Sequence, residues 1–175
     1  MRIHPLALAP WLAIGTVVLI GAGIVAAGNG RQFRASLSGD EEVPVRVTNA
    51  SGHANFKLSK EGDELEFKLV VEDIENVVQA HIHIGPPGEN GPVTVFLYGV
   101  VPAAGGPIEG KISEGTITSG DLIGPLAGMT LDDLLDEMRS GNAYVNVHTN
   151  DGDDVINEGP GDFPGGEIRG QIDTN

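Results

Sequence analysis

Chemistry is most directly legible in this chain at three histidines. His81 and His83 flank Ile82 in the stretch Gln79-Ala80-His81-Ile82-His83-Ile84-Gly85. As a strand, this sequence puts Ala80, Ile82 and Ile84 on one face and Gln79, His81 and His83 on the other. The run Ala143-Tyr144-Val145-Asn146-Val147-His148-Thr149 repeats the design, with Val145 and Val147 on the apolar face and Asn146 and His148 opposite. If the two strands pair, His81, His83 and His148 share one surface and form a three-nitrogen ligand set for copper or zinc, which bind imidazole at about 2 Å. His53, near a strand start, is a candidate fourth ligand. The competing reading is structural: the imidazoles hydrogen-bond to Asn146, Glu167 or Arg169 and organise the sheet.

A second donor set lies in the loop Asn150 to Asp162, where Asp151, Asp153 and Asp154 offer hard oxygens to calcium and the glycines allow tight wrapping. The spacing does not fit an EF-hand, so a solvated acidic loop is the alternative. Pairs such as Glu41-Glu42 and Asp132-Asp133 fall in a turn and at a helix start, where solvation explains them. Nucleophilic catalysis has no signature: there is no cysteine, no Gly-x-Ser-x-Gly and no phosphate-binding glycine loop. Asn49-Ala50-Ser51 matches a glycosylation acceptor.

The elements that must position these residues are short strands. Phe33, Ala35 and Leu37 alternate with polar residues, as do Ala54, Phe56 and Leu58, then Leu65, Phe67, Leu69 and Val71. The last two runs, joined across Lys60-Glu61-Gly62-Asp63, read as a hairpin. Gly85 to Pro92 cannot continue any regular element. Val93, Val95 and Leu97 resume the alternation, and Ile108 to Ile117 follows. One helix is expected over residues 131–140, with Leu131, Leu134, Leu135 and Met138 at helical spacing, Thr130 and Asp133 as a capping pair and Gly141 as the stop. The closing strand puts Ile168 and Ile172 inward and Glu167, Arg169 and Gln171 outward. The fold class is all-β: an antiparallel sandwich or barrel with one short helix.

Residues 1–27 begin with a basic Met1-Arg2, run apolar from Leu6 to Ala27 and end in small residues, which describes a signal peptide or an uncleaved N-terminal membrane anchor. Residues 28–32 are a linker, and 33–173 are the domain. The net charge is −15, and removing a segment whose only charged residue is Arg2 leaves −16. Such a charge repels phosphate backbones and excludes nucleic acid as a partner.

Four motifs in order carry a family resemblance: Leu37-Ser38-Gly39 to Glu42-Val43-Pro44, Ala80 to Gly85, Tyr144 to Thr149, and Gly165-Gly166-Glu167-Ile168-Arg169-Gly170-Gln171. From about Phe33 to Ile172 the chain resembles the CHRD domain, the module named after chordin. The resemblance implies an immunoglobulin-like, Greek-key β-sandwich or barrel on secreted or surface proteins. The acidic loop after Thr149 looks like an insertion relative to a shorter family connection. His81-Ile82-His83 also looks like part of the copper site of copper–zinc superoxide dismutases. With His4 in the export segment, however, four histidines are too few for that enzyme's two metals. The expectation is therefore a non-enzymatic binding or structural module at the cell surface or outside the cell. Its partner is an extracellular protein, a glycan or a cell-envelope component, and it meets the membrane only through its N-terminus. The alternative is a histidine-ligated copper or zinc protein, a class that includes redox-active members.

Overall fold

The computed structural model describes Met1, residues 30–153 and residues 155–174. The rest of residues 1–27, which the sequence suggests as an export segment and which include His4, and the candidate calcium ligand Asp154 lie outside the described residues. Among the described residues no helix is long and apolar enough to cross a membrane.

Among the described residues nine strands form one antiparallel sheet: β1 (Gln32–Ser38), β2 (Ser51–Leu58), β3 (Leu65–Glu75), β4 (Val77–Ile84), β5 (Val93–Gly99), β6 (Pro107–Ile117), β7 (Ala143–Thr149), β8 (Ile168–Gln171) and β9 (Asp173–Thr174). Their order is β5-β4-β7-β8-β1-β2-β3-β6, with β9 added beside β1. The sheet curls until its two edges meet, where the Ser113 hydroxyl on β6 donates to the Leu97 carbonyl on β5 at 2.6 Å. It is a nearly closed barrel, in agreement with the all-β expectation.

Local chemistry sets several of these elements. The β2–β3 hairpin turns on Ser59, whose Oγ accepts from the backbone N–H of Gly62, Asp63 and Glu64 at 3.2, 3.3 and 3.2 Å. The alternating apolar residues then fill the barrel: Leu65, Leu69, Ala80, Ile82, Val145, Val147, Ile168 and Ile172 are all fully buried. The expected helix is present as α1 (Leu131–Arg139), with Ser140 as its C-cap. Its N-terminus has a capping box, in which the Asp133 carboxylate accepts from the Thr130 N–H at 2.8 Å and Asp133 N–H reaches the Thr130 hydroxyl at 3.4 Å. Leu131, Leu134, Leu135 and Met138 face inward, so α1 closes the barrel as a lid.

The outer face of β4, β7 and β8 differs from the expectation of an outward polar surface. Every residue of β7 is buried, on both sides of the strand. Three loops, residues 39–50, 85–92 and 155–167, fold over that face and turn it into a second, polar layer. The Glu41-Glu42 pair is affected directly: Glu41 is exposed as expected of a solvated turn, whereas Glu42 is 4% exposed.

The lid reading makes a direct prediction. Leu135→Ala should lower the unfolding free energy by about 3 kcal/mol, because it opens a cavity at a fully buried site. Urea denaturation measures it, and a loss below about 1 kcal/mol would mean that α1 does not close the core.

Candidate metal centre

His81 and His83 come from β4 and His148 from the neighbouring β7. The β4–β7 register sets His81 opposite Asn146 and His83 opposite Tyr144, so His148 reaches the pair diagonally from its place opposite Gln79. The three rings lie 3%, 7% and 6% exposed. One ligating nitrogen from each lies within 4.8 Å of the others, and this is the group of metal-binding side chains found among the described residues.

The hydrogen bonds fix which nitrogens are free. His83 Nδ1 meets the Gly91 carbonyl at 2.9 Å and His148 Nδ1 meets the Pro164 carbonyl at 2.9 Å. A carbonyl only accepts, so both Nδ1 atoms carry the proton and both Nε2 atoms carry a lone pair. His81 Nδ1 lies 3.1 Å from His148 Nε2 and must therefore donate to it, which leaves His81 Nε2 bare as well. The Nε2 atoms of His81 and His83 are buried without a hydrogen-bond partner. A proton shift within His81 frees the 3.1 Å pair of nitrogens, a spacing that suits two ligands about 2 Å from one ion.

Burial holds all three rings neutral. It pushes His81 down to about 3, with repulsion from His148 and His83 adding to the effect. It pushes His148 down to about 4, against the opposing Pro164 carbonyl. His83 is lowered by burial, again against its carbonyl partner, with the Arg169 charge adding. Neutral imidazole is the form that binds a metal.

Aromatic rings wall the site. Tyr144 stacks on His83 with centroids 4.8 Å apart and planes at 12°, and the Arg169 guanidinium lies 3.5 Å over the Tyr144 ring. Phe96 meets His81 edge-on at 4.5 Å and is itself 46% exposed, so it stands between the site and solvent.

The other candidate residues fall elsewhere. His53 is exposed on β2, opposite Ser36 and Val70, four strands away from β4 in the sheet order, so it is no fourth ligand. Asp151 and Asp153 are exposed, and their Oδ1 atoms accept from the N–H of Asp153 and Val155 at 3.1 and 2.8 Å, which makes local turns of them. Asn146, Glu167 and Arg169 are buried in a polar network as expected, yet none of their hydrogen bonds goes to a histidine. Asn146 Nδ2 donates to Glu42 Oε2 at 3.4 Å. Glu167 accepts from the Thr48 and Thr149 hydroxyls and the Gly161 N–H at 2.6, 2.7 and 2.8 Å. Arg169 donates to the Glu89 and Pro86 carbonyls at 2.9 and 3.1 Å. Sequence reasoning missed Glu42, Tyr144, Phe96 and the two carbonyls. Of these, Tyr144 alone left a signal, since pairing the two histidine strands in register places it beside His83.

Residues 33–172 match the family model described as CHRD domain. The chain belongs to the CHRD-domain family. No curated protein matches it significantly. The CHRD match runs from Phe33 in β1 through the end of β8, so the histidine strands, the Glu42 loop, Glu167 and Arg169 are all parts of one domain.

The buried titratable groups make this CHRD domain's stability depend on pH with two opposed limbs. The histidines titrate near 6.5 when unfolded and lower when folded, so their contribution is complete above pH 6.5 and is lost as the pH falls toward about 4 and 3. Glu42 behaves oppositely, because burial raises its carboxyl to about 7 against the nearby Arg169 and Arg46 charges. Its contribution is complete below 4.5 and is lost as the pH rises through 7. Metal-free protein should lose a few kcal/mol of stability between pH 6.5 and 4. Glu42→Gln should gain on the wild type as the pH rises from about 5 to 8. Denaturation across this range checks both, and because the Glu42 limb opposes the histidine limb in the wild type, a Glu42→Gln profile flat from pH 6.5 to 4 would contradict neutral buried imidazoles.

Proposed function

We propose that this CHRD domain is an exported, non-enzymatic binding module of the cell surface or its surroundings, and that it binds one copper or zinc ion through His81, His83 and His148. The observation that carries the reading is the convergence of three buried, neutral imidazoles whose ligating nitrogens lie within 4.8 Å of one another. Supporting it, two of the rings are held in the Nε2-ligating tautomer by backbone carbonyls, the outer-sphere arrangement that metal-binding histidines commonly use.

Binding rather than dismutation is favoured by the count of donors. With His53 four strands away and His4 in the export segment, the chain has no second set of histidines for a partner metal. The acidic surface adds a general attraction for cations at a net charge of −15.

Protein purified without a polyhistidine tag and reconstituted with copper or zinc should hold about one equivalent, and less than about a tenth would sink the reading. The His81→Ala, His83→Ala double variant should lose the ion while keeping its far-UV circular dichroism. Unchanged stoichiometry in the variant would refute the ligand assignment. Export is checked separately by intact mass: the exported protein should lack residues 1–27, and a species that retains Leu6 to Ala27 would instead be an anchored form.

A further inference from the structure

We propose that the three-histidine site selects copper(I) over zinc(II); the inference rests on the metal reading above and specifies the ion. The first ground is the charge of the donor set. All three donors are neutral nitrogens, and no carboxylate belongs to the group among the described residues. Of the buried carboxylates, Glu167 accepts hydrogen bonds on both oxygens, from Thr48, Thr149 and Gly161, and Glu42 accepts one from Asn146 on Oε2, its Oε1 being unpartnered but outside the ligand group. A metal ion entering this layer therefore keeps its whole charge in a site only 3–7% exposed. The solvation cost of burying an ion grows with the square of its charge, so a divalent ion costs about four times as much as a monovalent one of equal size.

The second ground is a fixed cation. Arg169 lies 3.5 Å over Tyr144, and Tyr144 stacks on His83. The guanidinium is fully buried and, among the described residues, has no carboxylate within ion-pair distance: its bonds go to the carbonyls of Pro86 and Glu89 and to the amide oxygens of Asn90 and Gln171, and Glu42 acts on it only from further off. Its repulsion of a metal ion scales with the ion's charge and is about twice as large for zinc(II) as for copper(I).

The third ground is coordination number. The protein offers three donors, with Phe96 against His81 and Tyr144 against His83. Zinc in proteins completes four ligands and would have to bring a water into this aromatic surround. Copper(I), with a single charge, is complete with three donors, and imidazole is among the ligands that suit copper. Charge, neighbouring cation and donor count all favour the same ion.

The test is a pair of titrations on the metal-free, tag-free protein at pH 7. One is copper(I) under anaerobic conditions in competition with bicinchoninate, and the other is zinc(II) in competition with a chromophoric zinc chelator. Copper(I) should bind at one equivalent and at least about 100-fold more tightly than zinc(II). X-ray absorption of the copper-loaded protein should show three nitrogen neighbours. Zinc binding as tight as copper(I), abolished by His81→Ala with His83→Ala, would overturn the preference while leaving the metal site standing. Failure to hold either ion would overturn the site itself. Copper(I) retained by the double variant would place the ion elsewhere and overturn the proposal.

Discussion

The buried carboxylate of Glu167 is the constraint on which the polar layer depends. A fully buried anion without partners costs several kcal/mol, so the fold holds only if donors are brought to it. They come from three places: Thr48 in the first covering loop, Thr149 at the end of β7 and Gly161 in the long acidic loop. Satisfying one charge thus docks two loops against the sheet. The chain of consequence continues, because the Thr149 hydroxyl that donates to Glu167 also accepts from the Phe163 N–H at 2.9 Å. That bond fixes the backbone just before Pro164, and the Pro164 carbonyl sets the tautomer of His148.

Arg169 does the same for the other covering loop with the opposite charge. Its guanidinium holds the carbonyls of Pro86 and Glu89, which pins residues 85–92 over the face, and the Gly91 carbonyl of that loop sets His83. Glu167, just before β8, and Arg169, on it, do not pair with each other. Glu167 holds the 39–50 loop and the loop that contains Gly161, Arg169 holds the 85–92 loop, and the last two loops each return one carbonyl to one histidine. The rings are therefore oriented before any ligand arrives, as a selective site requires.

What was legible in the sequence follows the range of the interactions. Period-two alternation gave the inward faces of the histidine strands, and Ile82, Val145 and Val147 sit in the barrel as that alternation requires. The Ser59–Glu64 turn and the Thr130–Asp133 cap are local chemistry, so they too could be read directly. The burial of the outer face could not. Its covering segments are rich in Gly, Pro and Asp, which read as solvated loops, and they are held down by contacts 80 to 120 residues apart in sequence. For the same reason Glu42 read as one of a solvated acidic pair, although a Cβ at Gly166 would lie 2.6 Å from its Oε1. Histidine partners were expected among Asn146, Glu167 and Arg169 because side chains are visible in a sequence. Backbone carbonyls from distant loops are not.

The unpartnered nitrogens separate the structural account of the histidines from the metal account. A network that merely organised the sheet would explain the bonds to Gly91 and Pro164 and the contact between His81 and His148. It would leave the Nε2 lone pairs of His81 and His83 buried and unmatched, each at a cost of about 1–3 kcal/mol. The same layer satisfies Glu167 three times over and gives Arg169 four acceptors, although Glu42 Oε1, Asn146 Oδ1 and Asp162 Oδ1 are also buried without a partner. Leucine or phenylalanine at either histidine would remove the cost altogether. On a ring kept neutral by burial, the bare His83 Nε2 lone pair has a physical reason if an ion is to accept it, and a proton shift within His81 moves that ring's lone pair to the Nδ1 facing His148.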